Sequence, residues 1–301
     1  MRVPREQLKN ATPMPVRRAA REALAQYGAL TSPWRPVPDF LIIGTKRGGT
    51  TSLWNYLLEH PLVPRQFPAW NTKSSHYFEE NWHRGQRWYL GHFPTRNQRR
   101  RLEKRHGGSV RAGEASPLYS FHPLAPDRVK AVLPNTRLIC LLRDPVDRAF
   151  SHWKERRTNG VETLDFADAL SAEEARIDGE YAHMLADENY FSEAWDWYSY
   201  RTRGRYLEHL EPWLDRFDRS QLLILRSEDL YLDTPGTYRR VTDFLGLPPW
   251  ELRRYEVFND RKSAEMPEQI RRELTEYYAP LNQQLEERLG MTLGWSSPLR
   301  K

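Results

Sequence analysis

The stretch Pro38–Pro61, PDFLIIGTKRGGTTSLWNYLLEHP, decides the fold. Its first part, DFLIIG, is a short apolar run that ends in glycine, which is typical of a buried strand in a parallel sheet. The residues TSLWNYLLEH predict a helix, and the glycine-bearing turn GTKRGGTT joins the two elements. A strand, a turn of this kind and a helix N-terminus together form a cradle for a phosphate group.

The same alternation of strand and helix returns further along the chain. SVRAGEASPLY predicts a second strand and a loop, TRLICLLRDP a third strand and RSQLLILRSEDL a fourth. Helices are predicted over VDRAFSHWKERR and over TPGTYRRVTDFLGLP, where Thr234 and Pro235 resemble an N-cap and a first helical turn. This order favours an α/β fold, with a single domain around a mostly parallel sheet.

The N-terminal residues differ in composition from the rest of the chain. Residues 1–36 hold seven basic and two acidic side chains together with five prolines. We therefore predict a basic, proline-containing extension over 1–36, with at most one short helix near Val16 to Tyr27, and a domain over 37–301.

Charge and cysteine content exclude several classes of protein. The net charge is +6, and residues 84–111 hold nine basic side chains against Glu103 alone. This segment is either a solvated face or a rim around an anionic ligand. Nucleic acid is not expected as a partner, because aromatic residues are not interleaved with the basic ones. The single cysteine, Cys140, lies in an apolar run and is expected in the core, so disulfides and cysteine-rich metal sites are excluded.

Membrane and export signals are not expected in this chain. No apolar run approaches the ~20 residues of a transmembrane helix, and the N-terminus has no apolar signal region. We therefore expect a cytoplasmic protein without a transmembrane segment, while the sequence leaves its oligomeric state open.

The turn GTKRGGTT has only part of a nucleoside triphosphatase loop. Gly44 and Gly49 have the spacing of G-x-x-x-x-G-K-[ST], but Thr50 stands where that loop has its lysine. The backbone can still hold a 5′-phosphate at the helix N-terminus. The alternative is a glycine-rich turn without a ligand. The predicted cradle consists of Lys46, Arg47, Gly48, Gly49, Thr50, Thr51 and Ser52.

A second phosphate site is predicted at the end of the third strand. Arg143 follows that buried run, and Ser151 comes eight residues later in the next helix. Ligands of doubly wound sheets bind at the carboxyl ends of the strands, where a guanidinium and a hydroxyl can grip a phosphate. The alternative is that Arg143 pairs with Asp144 or Asp147.

These two segments resemble the 5′- and 3′-phosphate motifs of sulfotransferases that use 3′-phosphoadenosine-5′-phosphosulfate (PAPS). The carbohydrate branch, which includes the heparan sulfate sulfotransferases, is the most similar, and the resemblance runs from about Asp39 to the C-terminus. It also covers NTKSSHYFEENWHRGQRWYLGHFP, GEASPLY, YLEHLEPWLDRF, FLGLP and ELTEYYAPLNQQLEERLGMTLGW, in that order. The chain is thus identified as a bacterial-type soluble member.

The resemblance implies a P-loop-like three-layer sandwich and sulfuryl transfer from PAPS, without a metal, leaving 3′-phosphoadenosine-5′-phosphate (PAP). The implied acceptor is a hydroxyl, less readily an amine, of a carbohydrate, a glycosylated compound or a phenol. Residues Arg47 to Ser52 would hold the 5′-phosphosulfate, and Arg143 with Ser151 the 3′-phosphate. Arg261 and Lys262 match a basic loop over the cofactor, or else form a solvated loop.

The sequence departs from this family at three positions. Arg47 replaces the lysine that lies at the leaving oxygen in this family. Either Arg47 stabilises that oxygen electrostatically, which we favour, or Lys46 does so instead. Ser74 replaces the glutamate that serves as general base. His76 is the expected replacement, with a pKa near ~6.5 and, in an extended segment, the same orientation as residue 74. Ala115 replaces a lysine.

The same segments supply the remaining candidates. Glu79 and Glu114 are reserve bases, and Lys73 and Glu114 are expected to contact the acceptor. The aromatic run YFSEAWDWYSY either stacks on that acceptor or belongs to the core. Two other functions stay open: a P-loop nucleotide kinase, and a PAPS-binding protein without catalytic activity.

Overall fold

The computed structural model of the chain describes residues 14–68, 73–252 and 265–295. The four strands are β1 (Phe40–Gly44), β2 (Gly113–Ala115), β3 (Arg137–Leu142) and β4 (Leu222–Arg226). The helices are α1 (Met14–Leu30), α2 (Thr50–Leu57), α3 (Gly85–Leu90), α4 (Arg96–His106), α5 (Ala125–Val132), α6 (Pro145–Thr158), α7 (Phe166–Ile177), α8 (Glu180–Ala186), α9 (Glu193–Tyr198), α10 (Tyr206–Arg216), α11 (Ser227–Leu232), α12 (Thr234–Leu245) and α13 (Glu268–Leu289). Short 3₁₀ turns lie at Ser32–Trp34, Trp82–Arg84, Tyr119–Phe121, Thr202–Gly204 and Arg219–Gln221.

The sheet is parallel throughout, with strand order β2-β1-β3-β4. Because β1 and β3 are parallel neighbours, the turn after β1 and the residues after β3 meet at the carboxyl ends of the strands. This arrangement confirms the predicted α/β fold with its parallel sheet.

Both faces of the sheet are buried. Leu41 and Ile43 of β1 belong to one core, which α3, α5, α10 and α13 cover, and Phe40 and Ile42 belong to the other, beneath α2 and α12. Side chains of a strand alternate between faces, so a strand covered on both sides is apolar at nearly every position. The result is the predicted three-layer sandwich. Cys140 is fully buried, as expected.

The bounds of several elements differ from the predictions. The fourth apolar run ends as a strand at Arg226, and the residues SEDLYL form helix α11. Asp233, rather than Thr234, caps α12, because its carboxylate accepts a hydrogen bond from the backbone N–H of Gly236. Helices α7 to α9 fill an acidic region for which no element was predicted.

The N-terminal extension forms a longer helix than expected. Helix α1 has 17 residues and packs against the end of α3, where Gly28 and Gly91 lie in contact. A Cβ atom at residue 28 would lie 2.8 Å from the carbonyl oxygen of Gly91, so a side chain there would separate the two helices. None of the described helices combines the length and the apolar character needed to cross a lipid bilayer.

Candidate active site

The turn between β1 and α2 lies close to the neighbouring strand. A Cβ atom on Gly48 would lie 2.9 Å from the carbonyl oxygen of Leu141 in β3, so a side chain there would displace the turn. Gly49 has φ +85°, a left-handed conformation that favours glycine. The two glycines therefore let the backbone reach the N-terminus of α2 in a tight turn, the geometry that phosphate cradles use.

Lys73 occupies the place where a nucleoside triphosphatase binds magnesium. Its Nζ donates hydrogen bonds to the Oγ1 atoms of Thr50 (2.8 Å) and Thr51 (3.1 Å). In a triphosphatase loop, the residue at position 51 would be the magnesium ligand. Burial lowers the pKa of Lys73 to about 8, and only Glu79 opposes this shift. A cation of the chain itself thus lies beside the cradle, although Lys73 was expected at the acceptor.

The first turn of α2 offers an additional hydroxyl to a ligand. The Ser52 side chain is 1% exposed, and its Oγ has no hydrogen-bond partner among the described residues. Buried hydroxyls normally find a partner. An anion at the helix N-terminus would supply an acceptor for this donor, so the cradle fits the phosphate end of PAPS.

Arg47 joins the two predicted phosphate motifs. Its Nε donates to Ser151 Oγ at 2.9 Å, and its Nη1 lies 3.2 Å from an oxygen of Glu155. Arg143, at the end of β3, donates from Nη1 to the carbonyl oxygen of Arg47 at 3.2 Å. The structure thus brings Arg47, Arg143 and Ser151 into direct contact, and neither Asp144 nor Asp147 pairs with Arg143 among the described ion pairs.

Lys46 points away from this contact, towards helix α9. Its Nζ lies 2.8 and 2.9 Å from the two carboxylate oxygens of Asp196, which also pairs with Arg156 and Arg203. Burial and the neighbouring Arg203 lower the pKa of Lys46 to about 8, against the attraction of Asp196. One carboxylate therefore holds three cations, and Lys46 is not in contact with the second phosphate motif.

Glu114 organises the segment that follows Lys73. It is fully buried and accepts hydrogen bonds from the backbone N–H of Ser75 (2.7 Å), the hydroxyl of Ser75 (2.8 Å) and the hydroxyl of Tyr119 (2.8 Å). A carboxylate enclosed in this way cannot contact an acceptor in solvent. The expectation that Glu114 binds the acceptor is therefore wrong for this structure, and its role is to position the segment.

His76 adopts a different conformation from the expected one. Its φ is +54°, so the segment is not extended at this residue. Ser74 is buried and turned to Glu114, whereas the His76 side chain is 42% exposed. The prediction that residues 74 and 76 share an orientation is wrong, because the chain turns at His76, whose backbone N–H donates to Ser74 Oγ.

The Nδ1 atom of His76 contacts the buried carboxylate of Glu79. Burial by itself lowers the pKa of His76, but the carboxylates of Glu79, Glu80 and Glu114 raise it to about 9. Burial also raises the pKa of Glu79, against the effect of His76. The expected pKa near ~6.5 is therefore wrong for the ligand-free protein. Ligand atoms of His76, Glu79 and Glu80 lie within 4.8 Å of one another, a spacing that a metal ion could use.

Sequence reasoning missed residues that follow β4. Ser227 Oγ donates to the carbonyl oxygen of Gly48 at 2.7 Å. The hydroxyl of Tyr231 lies 2.9 Å from the Cβ position of Gly49, and the side chain is 41% exposed. Their position at the carboxyl end of the fourth strand could have indicated these residues, because the two phosphate motifs also follow the carboxyl ends of strands. Arg261 and Lys262 lie outside the described residues.

The run YFSEAWDWYSY is partly core. Trp195 stacks on Phe121, with ring centroids 4.7 Å apart, and Tyr200 is fully buried. These two rings are unavailable for stacking on an acceptor.

Glu155 pairs with Arg47 and would therefore compete with an anion for this side chain. Glu155→Gln should strengthen PAP binding, by up to about fivefold, since partly exposed pairs of this kind contribute ~1 kcal/mol or less. Titration calorimetry measures the change. Glu211→Gln, which removes the partner of Arg288 elsewhere, is the matched control. Unchanged or weaker binding in Glu155→Gln would show that this carboxylate does not compete for the site.

Comparison with known proteins shows the family to which the chain belongs. The Sulfotransferase domain family matches residues 37–282, and the chain belongs to that family. The chain is 30% identical to heparan sulfate glucosamine 3-O-sulfotransferase 3A1 of Mus musculus over 285 residues, which cover 87% of this chain and 65% of that protein. It is 29% identical to heparan sulfate glucosamine 3-O-sulfotransferase 6 of Homo sapiens, with 87% and 74% covered.

A solved structure extends the comparison to the fold. The crystal structure of a sulfotransferase from Alicyclobacillus acidocaldarius aligns with a TM-score of 0.63 and 28% sequence identity, over 87% of this chain and 100% of that chain. The chain spans about two thirds of the length of the mouse relative, so the alignment covers only part of that protein.

Proposed function

We propose that this protein transfers a sulfuryl group from PAPS to a hydroxyl of a carbohydrate. The observation that carries the proposal is the contact of Arg47 with Ser151 and of Arg143 with the Arg47 backbone, which makes one continuous site from two phosphate motifs. A site with two such motifs suits a nucleotide that bears phosphates at both its 5′ and 3′ positions.

The residues present fit that donor. The turn at Gly48 and Gly49, the free hydroxyl of Ser52 and the ammonium of Lys73 would hold the 5′ end, and Arg143 with Ser151 the 3′-phosphate. When bound, PAPS supplies the sulfuryl group and a phosphate leaving group. We also assign Arg261 and Lys262 to the cofactor, on the family resemblance alone.

Arg47 is proposed as the cation that stabilises the leaving oxygen. Its guanidinium is held by Ser151 and Glu155, whereas Lys46 is held by Asp196. Charge grows on the leaving oxygen in the transition state, and a fixed cation aimed there lowers the barrier. An arginine supplies charge and no proton, because a guanidinium stays protonated in proteins.

The acceptor must lose a proton, and His76 is proposed to accept it. Its ring is partly exposed beside Lys73 in the same segment, whereas Glu79 and Glu114 are buried. The contact with Glu79 fixes the ring and keeps it protonated at neutral pH, so deprotonation of His76 must precede the transfer. A carbohydrate is proposed as acceptor because the relatives named above are glucosamine sulfotransferases.

A nucleotide kinase is the less suitable alternative. Thr50 takes the place of the lysine that binds the β- and γ-phosphates, and the ammonium of Lys73 lies on the hydroxyls where magnesium would be bound. A kinase would also leave the contact of Arg143 with the turn unexplained.

The direct experiment is turnover with sulfur-labelled PAPS. The acceptors tested are N-acetylated, N-sulfated and desulfated heparan chains and a simple phenol. We expect the label to move to the glycan acceptors and PAP to form in an equal amount. PAP binding without any transfer would favour an inactive PAPS-binding protein, and transfer of phosphate from ATP would favour the kinase.

Metal ions should not be needed for activity. Activity should be unchanged by an excess of EDTA, because Lys73 already lies beside the cradle hydroxyls where a metal would otherwise be needed. Initial rates with EDTA and with added Mg²⁺ or Mn²⁺ check this. Loss of activity in EDTA and recovery with one metal would contradict it, and would point to the cluster of His76, Glu79 and Glu80.

A further inference from the structure

A groove on another part of the molecule combines aromatic and basic side chains. It lies between the C-terminal end of α1 and the N-terminal end of α4 and has a volume of about 460 Å³. Tyr27 and Trp34 line it on one side and Arg96 and Arg100 on the other, with small polar side chains between them. No function described above uses these residues.

The two rings are unusually exposed for side chains of their size. Tyr27 is 55% and Trp34 62% exposed. Exposed apolar surface that is rimmed by polar residues is a feature of binding sites. The face of a sugar ring presents C–H groups, and aromatic side chains with a polar edge provide a flat surface for it.

The charge of the groove selects an anionic occupant. Helix α4 carries six basic side chains and one carboxylate, and only Arg99 of the six is paired with an acidic residue among the described ion pairs. Residues 1–13 hold three basic side chains and one acidic side chain, so this segment has the same sign of charge as the groove. An anionic ligand is therefore favoured over the chain's own N-terminal segment.

The groove is separate from the phosphate cradle. Arg99 of α4 pairs with Asp39 at 2.8 Å, immediately before β1, whereas the cradle begins directly after that strand. A strand of five residues spans about 16 Å, so the two sites lie near opposite ends of β1. A single small acceptor cannot occupy both, but a polymer can.

We propose that this groove is a second saccharide-binding site, which holds an anionic polysaccharide while another part of the same chain enters the active site. The inference rests on the proposed carbohydrate acceptor. Holding a polymer at one point raises its effective concentration at the other, so long chains are bound more tightly than short ones without any change at the cradle.

The test compares two double variants of α4. Arg96→Ala/Arg100→Ala removes two groove charges, and Arg101→Ala/Arg105→Ala removes two exposed charges with the same spacing outside the groove. Fluorescent heparin fragments of two lengths serve as probes, with PAP affinity and melting temperature as controls for folding. We expect the groove variant to lose tenfold or more in affinity for the long fragment and the matched variant less than twofold. Trp34→Ala should also lose several-fold.

Equal losses in both double variants would overturn the proposal, because diffuse charge would then explain binding. The aliphatic Leu30, 76% exposed beside Tyr27, makes a lipid surface the competing occupant. Binding to vesicles of phosphatidylcholine and phosphatidylglycerol is measured for the wild type and the groove variant. The proposal would also be overturned if the groove variant lost vesicle binding and kept its heparin binding unchanged. A groove-specific loss of heparin affinity in a protein that transfers no label from PAPS would keep this site and refute the proposed activity instead.

Discussion

Arg47→Ala should lower the turnover number by ~10²-fold or more while the protein still folds. Contacts with Ser151 and Glu155 hold the Arg47 guanidinium. Its loss removes the cation that we assign to the leaving oxygen. Single-turnover rates with labelled PAPS separate this loss from weaker binding.

Two matched variants sharpen this test. Arg47→Lys should keep much of the activity, because a lysine keeps the positive charge. It is also the residue that the sulfotransferases described under Sequence analysis have at this position. Lys46→Ala should be the milder change, since Lys46 is paired with Asp196. If Lys46→Ala proves the more damaging of the two alanine variants, the leaving-oxygen cation has been assigned to the wrong residue.

His76→Ala should lower turnover by ~10²–10⁴-fold, the usual contribution of a general base, with PAP affinity nearly unchanged. The dependence of the rate on pH gives the more specific result. The protonated ring cannot accept a proton, and the pKa of His76 is raised to about 9, so the wild-type rate should rise with pH through about 9.

Glu79→Gln tests the cause of that high pKa. Removing the carboxylate removes the main group that raises the pKa of His76, so the midpoint of the rate profile should move down towards ~6.5. Glu80→Gln, whose carboxylate is 3.8 Å from the ring, is the control and should move the midpoint less. Normal turnover in His76→Ala, or a midpoint that stays near 9 in Glu79→Gln, would assign the base to another group.

The parallel sheet and the glycine turn after its first strand could be predicted from the sequence because both leave strong local patterns. A strand buried on both faces is a continuous apolar run, and the glycine turn after DFLIIG leaves few alternatives to a cradle. That Arg143 and Ser151 lie near this turn could be predicted for the same reason, since both follow a buried strand at the carboxyl end of the sheet, where parallel sheets bind ligands.

The conformation of the segment after Lys73 could not be predicted, because distant residues determine it. Glu114, 39 residues further along the chain, accepts a hydrogen bond from the backbone N–H of Ser75. The His76 ring contacts Glu79, a local neighbour, where the chain turns at His76. A pKa depends on such neighbours, so the ordinary value for histidine was a poor guide. The partner of Lys46 was not predicted for a similar reason, because Asp196 lies 150 residues away in an acidic helix.

Residues after β4 were missed because the apolar run was extended too far. Ser227 begins a helix, and polar residues that follow a strand carry no periodic signal of their own. Only the fold places their side chains against the cradle.

Calorimetric titration of the wild-type protein with PAP and with ADP, both in EDTA, tests the central claim most directly. We expect PAP to bind at least about 30-fold more tightly than ADP, the equivalent of ~2 kcal/mol, because Arg143 and Ser151 would bind a 3′-phosphate that ADP lacks. Arg143→Ala should abolish the difference between the two nucleotides. Equal affinity for PAP and ADP in the wild-type protein would contradict the account.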